Sequence, residues 1–380
     1  MSKTIIFPRL TIFNESYKMY EGIENLINEL NQRGHNVVII THSYESLISI
    51  EQEVENKFNV QCTYRKAVRE NINDDNAHDF IIVGSSDEDL HLAANKKILI
   101  INPGWSVKQD AKPNKYGITM SSPEKLLKAI SIIENQNNWF FKLEVDDKTT
   151  ILALTSANTM NRDIDVSEKT MIEGFNKSLK DGERKYFNAL YFHLISGVMK
   201  NSLLRNVDVW GVFPSSGELV NEEVEQLKDS CRYLTNKRLQ EPIFMRHTPV
   251  EKSRDTANHV RLNVGCVKHF ESIILNPKVS KHIKNKVVCI IDDYLTNGTS
   301  FETARNILLK AGAKQVILLA LGRYKRGQFG IYQKEEYRLE GNLSEPGYKY
   351  TLLSKEQING GEYNVRAREE LKEIYNILIS

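Results

Sequence analysis

One stretch constrains this chain more than any other: Val287 to Leu309, VVCIIDDYLTNGTSFETARNILL. Its opening run, Val287 to Ile291, is uniformly apolar and reads as a buried parallel strand rather than one with a wet face. Asp292 and Asp293 stand where that strand is expected to end. A short polar turn, Thr296-Asn297-Gly298-Thr299-Ser300, leads directly into a helical pattern. A strand–loop–helix unit with acids at the strand's carboxyl end belongs to open α/β sheets, which take ligands there. The turn has the composition of an anion cradle. Gly298 lets the backbone approach closely, Thr296, Thr299 and Ser300 offer hydroxyls, and the N–H groups opening the helix point at the same spot. Carboxylates repel a phosphate, so Asp292 and Asp293 must serve something beside it, such as the vicinal hydroxyls of a ribose or a metal held near them. Two other readings stay open: an acid pair ending a strand in the Walker-B manner, and a plain βα turn with Ser300 as helix cap. No G-x-x-x-x-G-K-[ST] occurs, which counts against a P-loop.

Hydrophobics, two acids, two further residues and then T-x-G-x-S resemble the phosphoribosyl-diphosphate (PRPP) motif of type I phosphoribosyltransferases. The resemblance implies that Asp292 and Asp293 bind ribose hydroxyls, and that Thr296, Asn297, Gly298, Thr299 and Ser300 hold the 5′-phosphate. It also implies Mg²⁺, bound with PRPP and met by Asp292 and Asp293 only indirectly. A short loop after an earlier strand contacts pyrophosphate in that family. Here the strand Val207 to Phe213 is followed by Pro214-Ser215-Ser216-Gly217, so Ser215, Ser216 and Gly217 take that place. An ordinary βα turn would look the same. Next, IFMRHTPV runs into EKSRDTANHVRLNVGCVKHF, a long polar stretch rich in arginine and histidine. Long irregular loops in compact domains are functional or disordered. Arg246, Thr248, Arg261, Asn263 and Phe270 resemble the competence protein F-like group of these transferases. That implies a lid in which Arg246, Arg254, His259 and Arg261 meet the leaving pyrophosphate, with Arg246 and Arg261 catalytic. A solvated basic loop is the bland alternative.

The length of 380 residues suggests more than one domain. A net charge of +2 gives no reason to expect a nucleic-acid or membrane partner. The four cysteines form no CxxC pair, which fits a reducing compartment and gives no zinc signature. No apolar run reaches the length of a membrane span, and the first residues lack a signal peptide's apolar region, so a cytoplasmic location is expected.

The remaining chain reads as α/β throughout. Residues 3–13, Val37 to Thr41, Ile81 to Val83 and Ile98 to Ile101 read as strands alternating with helices, which predicts a small parallel-sheet domain. EGIENLINELNQRGHNVVIITHS and VGSSDEDLHLAANKKI resemble the second and fourth motifs of the haloacid dehalogenase (HAD) phosphatases, with Thr41 and Asp89 retained and Ser85 where an aspartate is usual. The family's first motif is D-x-D, and here Phe7 and Arg9 occupy it. Without a carboxylate at that position no aspartyl-phosphate forms, so a non-catalytic relative or a generic Rossmann-like domain is expected. The polar run Glu134 to Asn138 reads as a linker. The expected architecture is thus two α/β domains: 1–138, HAD- or Rossmann-like, and 139–380, phosphoribosyltransferase-like. In the second, the core is expected over 200–325, a hood over 139–200, and residues 326–380 form an extension that the resemblance does not explain. The implied activity is transfer of phosphoribose from PRPP to an unidentified nucleobase-like acceptor, in nucleotide salvage or a stress or defence module. The competing class is a PRPP- or nucleotide-binding sensor without turnover. A homodimer, or a partner protein bound through the N-terminal domain, is compatible with either.

Overall fold

In the computed structural model the described residues are 2–54, 57–159, 164–181, 186–217, 220–250, 262–324 and 331–379. Two six-stranded sheets organise them. The first takes β1 (Thr4–Pro8), β2 (Asn36–Thr41), β3 (Gln61–Tyr64), β4 (Phe80–Val83), β5 (Leu99–Pro103) and β6 (Ile118–Met120). Its order is β3-β2-β1-β4-β5-β6, parallel throughout. Burial on both faces explains the apolar runs: Ile5, Ile6, Phe7, Ile39, Ile40, Ile81 and Ile82 are all buried.

The second sheet is mixed. It contains β7 (Phe141–Asp146), β8 (Thr149–Ser156), β9 (Val209–Val212), β12 (Val287–Leu295), β13 (Gln315–Arg323) and β16 (Glu362–Tyr363), in the order β16-β7-β8-β13-β12-β9. The four strands from β8 to β9 run parallel, while β7 pairs antiparallel with β8 and with β16. Two antiparallel pairs complete the strands: β10 (Phe244–Arg246) with β11 (Ile273–Leu275), and β14 (Tyr332–Glu340) with β15 (Lys349–Ile358).

Local signals set several helices. Pro123–Glu134 opens with Pro at its first turn, and the Ser122 hydroxyl accepts from Lys125 N at 3.2 Å. Glu222–Leu234 is capped by the Asn221 side chain, which accepts from Val224 N at 3.2 Å, and carries Glu222, Glu223 and Glu225 in its first turn, where the helix dipole favours acids.

Two expectations are revised. β7 and β8 belong to the second sheet, so the front of the expected hood is sheet rather than cover. The extension past 326 supplies β14, β15, β16 and the helix Val365–Ile379. The expected linker is buried: Gln136 and Asn138 are 3% and 2% exposed. The polar side chains there bind inward instead of meeting water. Glu370 accepts from the backbone N–H of Asn137 and Asn138, Gln136 Nε2 donates to His193 Nδ1 at 2.8 Å, and Asn138 Nδ2 donates to His193 O at 3.3 Å. One apolar cluster runs from Ile5 through Leu190 and Leu194 to Ile291 and Leu371, so both sheets face a shared core.

His193 lies at this seam, fully buried, and burial pushes its pKa down to about 3. The folded ring therefore stays neutral while the unfolded one takes up a proton below about 6.5, so stability falls on acidification through that window. His193→Gln is expected to shrink the difference in unfolding free energy between pH 7 and pH 5 by about 2 kcal/mol. Urea titrations at the two pH values check this; an unchanged difference would refute it.

Candidate functional site

The parallel strands β9, β12 and β13 end side by side. Val212 pairs with Ile291, Asp292 with Ala320, and Leu295 with Arg323. β12 continues through the acid pair to Leu295, so Asp292 and Asp293 lie on strand rather than past its end. Each carboxylate accepts the N–H of the next residue: Asp293 N donates to Asp292 Oδ1 at 2.9 Å, and Tyr294 N to Asp293 Oδ1 at 2.7 Å. These bonds fix the side-chain directions.

Residues 296–298 turn the chain into the helix Thr299–Lys310. Gly298 is the N-cap residue with φ +94°, and no side chain caps this end. The first-turn N–H groups thus face the carboxyl edge without a built-in acceptor side chain, the arrangement that binds anions. Thr299 and Ser300 are half-buried in that turn. From below, Arg323, fully buried, donates through Nη1 to Thr296 O at 2.5 Å and lies 4.8 Å from the Phe141 ring centroid.

The turn 214–217 sits beside this loop, because Phe213 N donates to Ile291 O at 2.9 Å. Ser215 and Gly217 are exposed and Ser216 is half-buried. Arg246 holds the turn in place. Its Nε donates to Ser215 O at 2.5 Å, Nη2 to Pro214 O at 3.1 Å and Nη1 to Ser272 Oγ at 2.6 Å. Burial pulls its pKa down to about 10, against the charge of Asp292, which works to raise it. With all three guanidinium nitrogens engaged, Arg246 is a positioning residue that brings positive charge near Asp292. Two of its five N–H groups are not used by these three bonds.

Arg254, His259 and Arg261 lie outside the described residues. Thr248 and Asn263 are exposed. Phe270 belongs to the core, 2% exposed, with its ring centroid 4.8 Å from Tyr337 and 5.4 Å from Tyr350. The helix Val166–Asp181 reaches the site edge where Tyr324 OH donates to Asn176 Oδ1 at 3.4 Å, and Tyr324 lies 5.4 Å from Tyr294.

The C-terminal hairpin supplies what sequence reasoning missed. Tyr332 places its ring over Gly298 and donates its hydroxyl to Glu302. Gln333 N donates to Asn297 O at 2.9 Å. Glu302, fully buried in the site helix, also accepts from Arg305 Nε at 2.9 Å and from Glu335 N at 3.0 Å. A signal for this existed: Glu302 and Arg305 interrupt the apolar face of a helix one turn apart.

In the first sheet Phe7 is fully buried core. Thr41 ends β2, 7% exposed. Asp89 is turned inward: its Oδ2 accepts from Ser85 N at 3.1 Å and Ser86 N at 3.0 Å, and its Oδ1 from Arg65 Nη2 at 2.5 Å. The Ser85 hydroxyl lies 3.4 Å from that of Ser106. Among the described residues no group of three or more His, Cys, Asp or Glu is placed to hold a metal ion, and no helix is long and apolar enough to cross a membrane.

No family model matches the chain, and no curated protein does either. Among solved structures it is similar to a D,D-heptose 1,7-bisphosphate phosphatase from Burkholderia thailandensis, 14% identical over 34% of this chain and 99% of that one, with a TM-score of 0.28. It is also similar to the GsuK channel bound to NAD, 11% identical over 83% of this chain and 61% of that one, with a TM-score of 0.20. Likenesses at these scores carry no argument about what this chain does.

The space beside Gly298 belongs to Tyr332, whose Cε2 lies 2.2 Å from where a Cβ would stand. Gly298→Ala is therefore expected to destabilise the protein by about 1–3 kcal/mol, from the collision and the positive φ together. Gly217→Ala, where a Cβ would meet nothing within 4 Å, serves as the control and should unfold like wild type. Equal thermal midpoints for the two variants would contradict this account of the loop.

Proposed function

We propose that the chain is a phosphoribosyltransferase-type enzyme that uses PRPP with Mg²⁺, passes phosphoribose to a nucleobase-like acceptor and releases pyrophosphate. One observation carries the reading. The Asp292–Asp293 pair and the uncapped helix end at Thr299 share a carboxyl edge with the 214–217 turn. That edge offers acceptors for ribose hydroxyls, donors for a 5′-phosphate and a second loop for a diphosphate, the three kinds of group that PRPP carries.

In this reaction the bond from ribose C1 to the diphosphate oxygen breaks and a bond from C1 to an acceptor atom forms, through a cationic, oxocarbenium-like state. The carboxylates of Asp292 and Asp293 hold the ribose hydroxyls and favour that positive charge. The N–H groups of the Thr299 turn fix the 5′-phosphate. Arg323 beneath Thr296 and Tyr332 above Gly298 keep the loop rigid, so little reorganisation is needed when substrate binds. Arg246 shapes the turn at Ser215 and Ser216 and adds positive charge on the leaving-group side. Mg²⁺, carried in on PRPP, would neutralise the departing diphosphate; the chain's nearest carboxylates, Asp292 and Asp293, would meet it only through the substrate. Asn176 and Tyr324 border the acceptor side of this edge.

The decisive experiment mixes the protein with PRPP, Mg²⁺ and a panel of nucleobases and follows pyrophosphate. Asp293→Asn keeps the side chain's size and removes its charge. It should bind PRPP measurably yet release pyrophosphate roughly a hundredfold more slowly, the cost of about 2–4 kcal/mol for one contact that strengthens toward the transition state. If wild type binds PRPP and releases none with any base, the site is a sensor. If Asp293→Asn alters neither binding nor release, the carboxyl edge of β12 has been misassigned.

A further inference from the structure

The carboxyl edge of the first sheet carries chemistry that the phosphoribosyltransferase reading leaves unused. Its strand order reverses between β1 and β4, and open parallel sheets take ligands in the crevice at such a reversal. Around that point the chain leaves β1 into Arg9, β2 into His42 and β3 into Arg65. Arg65 gives Nη2 to Asp89, and its Nε lies 3.0 Å from His42 Nε2, yet its Nη1 is buried with no hydrogen-bond partner. Arg9 lies over the Tyr17 ring, 4.7 Å from the centroid, and its Nη1 is likewise buried without a partner. Buried charged donors that lack acceptors are costly and rare, and two of them stand at the end of one sheet.

The acids nearby do not answer that need. Asp89 is taken by Ser85 N, Ser86 N and Arg65, and it closes the capping box of the helix Asp87–Lys96, so that helix end offers nothing to a ligand. Glu88 Oε2 lies 2.8 Å from His42 Nε2, and Asp87 pairs through Oδ2 with Lys112 at 3.2 Å while its Oδ1 is buried without a hydrogen-bond partner. Aromatic faces are available on the same exits. Tyr17 after β1, Tyr44 after β2 and Tyr64 ending β3 are 37%, 68% and 37% exposed. Guanidinium forks match phosphate oxygens, and exposed tyrosine rings accept a base by stacking.

We propose that this edge binds a nucleoside monophosphate without a metal ion, its phosphate on Arg9 and Arg65 and its base against the tyrosine rings. Phe7, fully buried where a nucleophilic carboxylate would have to stand, leaves such a ligand bound rather than hydrolysed. The site is independent of the PRPP reading, and its ligand contacts come from a different sheet.

The test is calorimetric titration of the full chain with AMP and, separately, with inorganic phosphate, both in EDTA. AMP is expected to bind more tightly than phosphate. Arg9→Gln, which leaves the Asp89 cluster intact, should weaken both at least tenfold with an unchanged circular dichroism spectrum. Tyr64→Ala combined with Tyr44→Ala should reduce AMP affinity to that of phosphate. No binding of either probe, binding lost in EDTA, or an Arg9→Gln protein that binds like its parent would overturn the proposal. Equal affinity for AMP and phosphate in the parent would overturn the assignment to a nucleotide.

Discussion

The second half of the molecule depends on one buried carboxylate. Glu302 is fully buried in the helix that follows the acid pair, and a buried charge persists only when partners surround it. Its partners come from three places: Arg305 on the same helix, the Tyr332 hydroxyl, and the backbone of Glu335 on the hairpin. Glu335 in turn accepts from Cys266 N at 3.0 Å and pairs with Lys355 at 3.2 Å. Arg305 extends the network to Asp146 at 3.0 Å, at the end of β7. Helix, hairpin, sheet and the 262–270 segment are thereby held by a single set of charged hydrogen bonds. A carboxylate with satisfied donors specifies geometry more sharply than apolar packing, because every partner must sit within hydrogen-bond reach.

That geometry is what the site requires. The loop 296–298 is short, and its conformation is imposed from outside. Arg323 binds the carbonyl of Thr296, Gln333 binds that of Asn297, and Tyr332 fills the space beside Gly298. Gly298 therefore answers two demands at once, a left-handed φ and room for an aromatic ring. The opposite wall is treated alike: Arg246 spends its guanidinium on the carbonyls of Pro214 and Ser215 and on the Ser272 hydroxyl. Cations at this edge work largely through backbone carbonyls.

The two sheets meet through polar residues set in an apolar core. Glu370, on the last helix, accepts from the backbone of 137–138, while the Gln136 amide donates to the His193 ring. Arg368 pairs with Glu168 at 2.6 Å and ties the same helix to Val166–Asp181. A segment rich in Asn and Gln reads as solvated from its composition, but the same amides are strong donors, and burial suits them once acceptors stand opposite.

What the sequence determined by itself is local. Uniform apolar runs marked β2, β4, β5 and the first half of β12, because hydrophobic period acts within a turn or two of chain. The acid pair, the glycine and the hydroxyls of the β12 loop were legible for the same reason. Tertiary structure decided the rest. β3, with the polar sequence Gln61–Tyr64, and β6, Ile118–Met120, exist because neighbouring strands lend them hydrogen bonds, which nothing in so short a segment announces. The last fifty residues form a clamp because Tyr332 and Glu335 meet Glu302 some thirty residues away in the chain. Arg246 braces the 214–217 turn because carbonyls of that turn lie within its reach. A side chain's type is written in the sequence; the partner that settles its role is supplied only when distant segments meet.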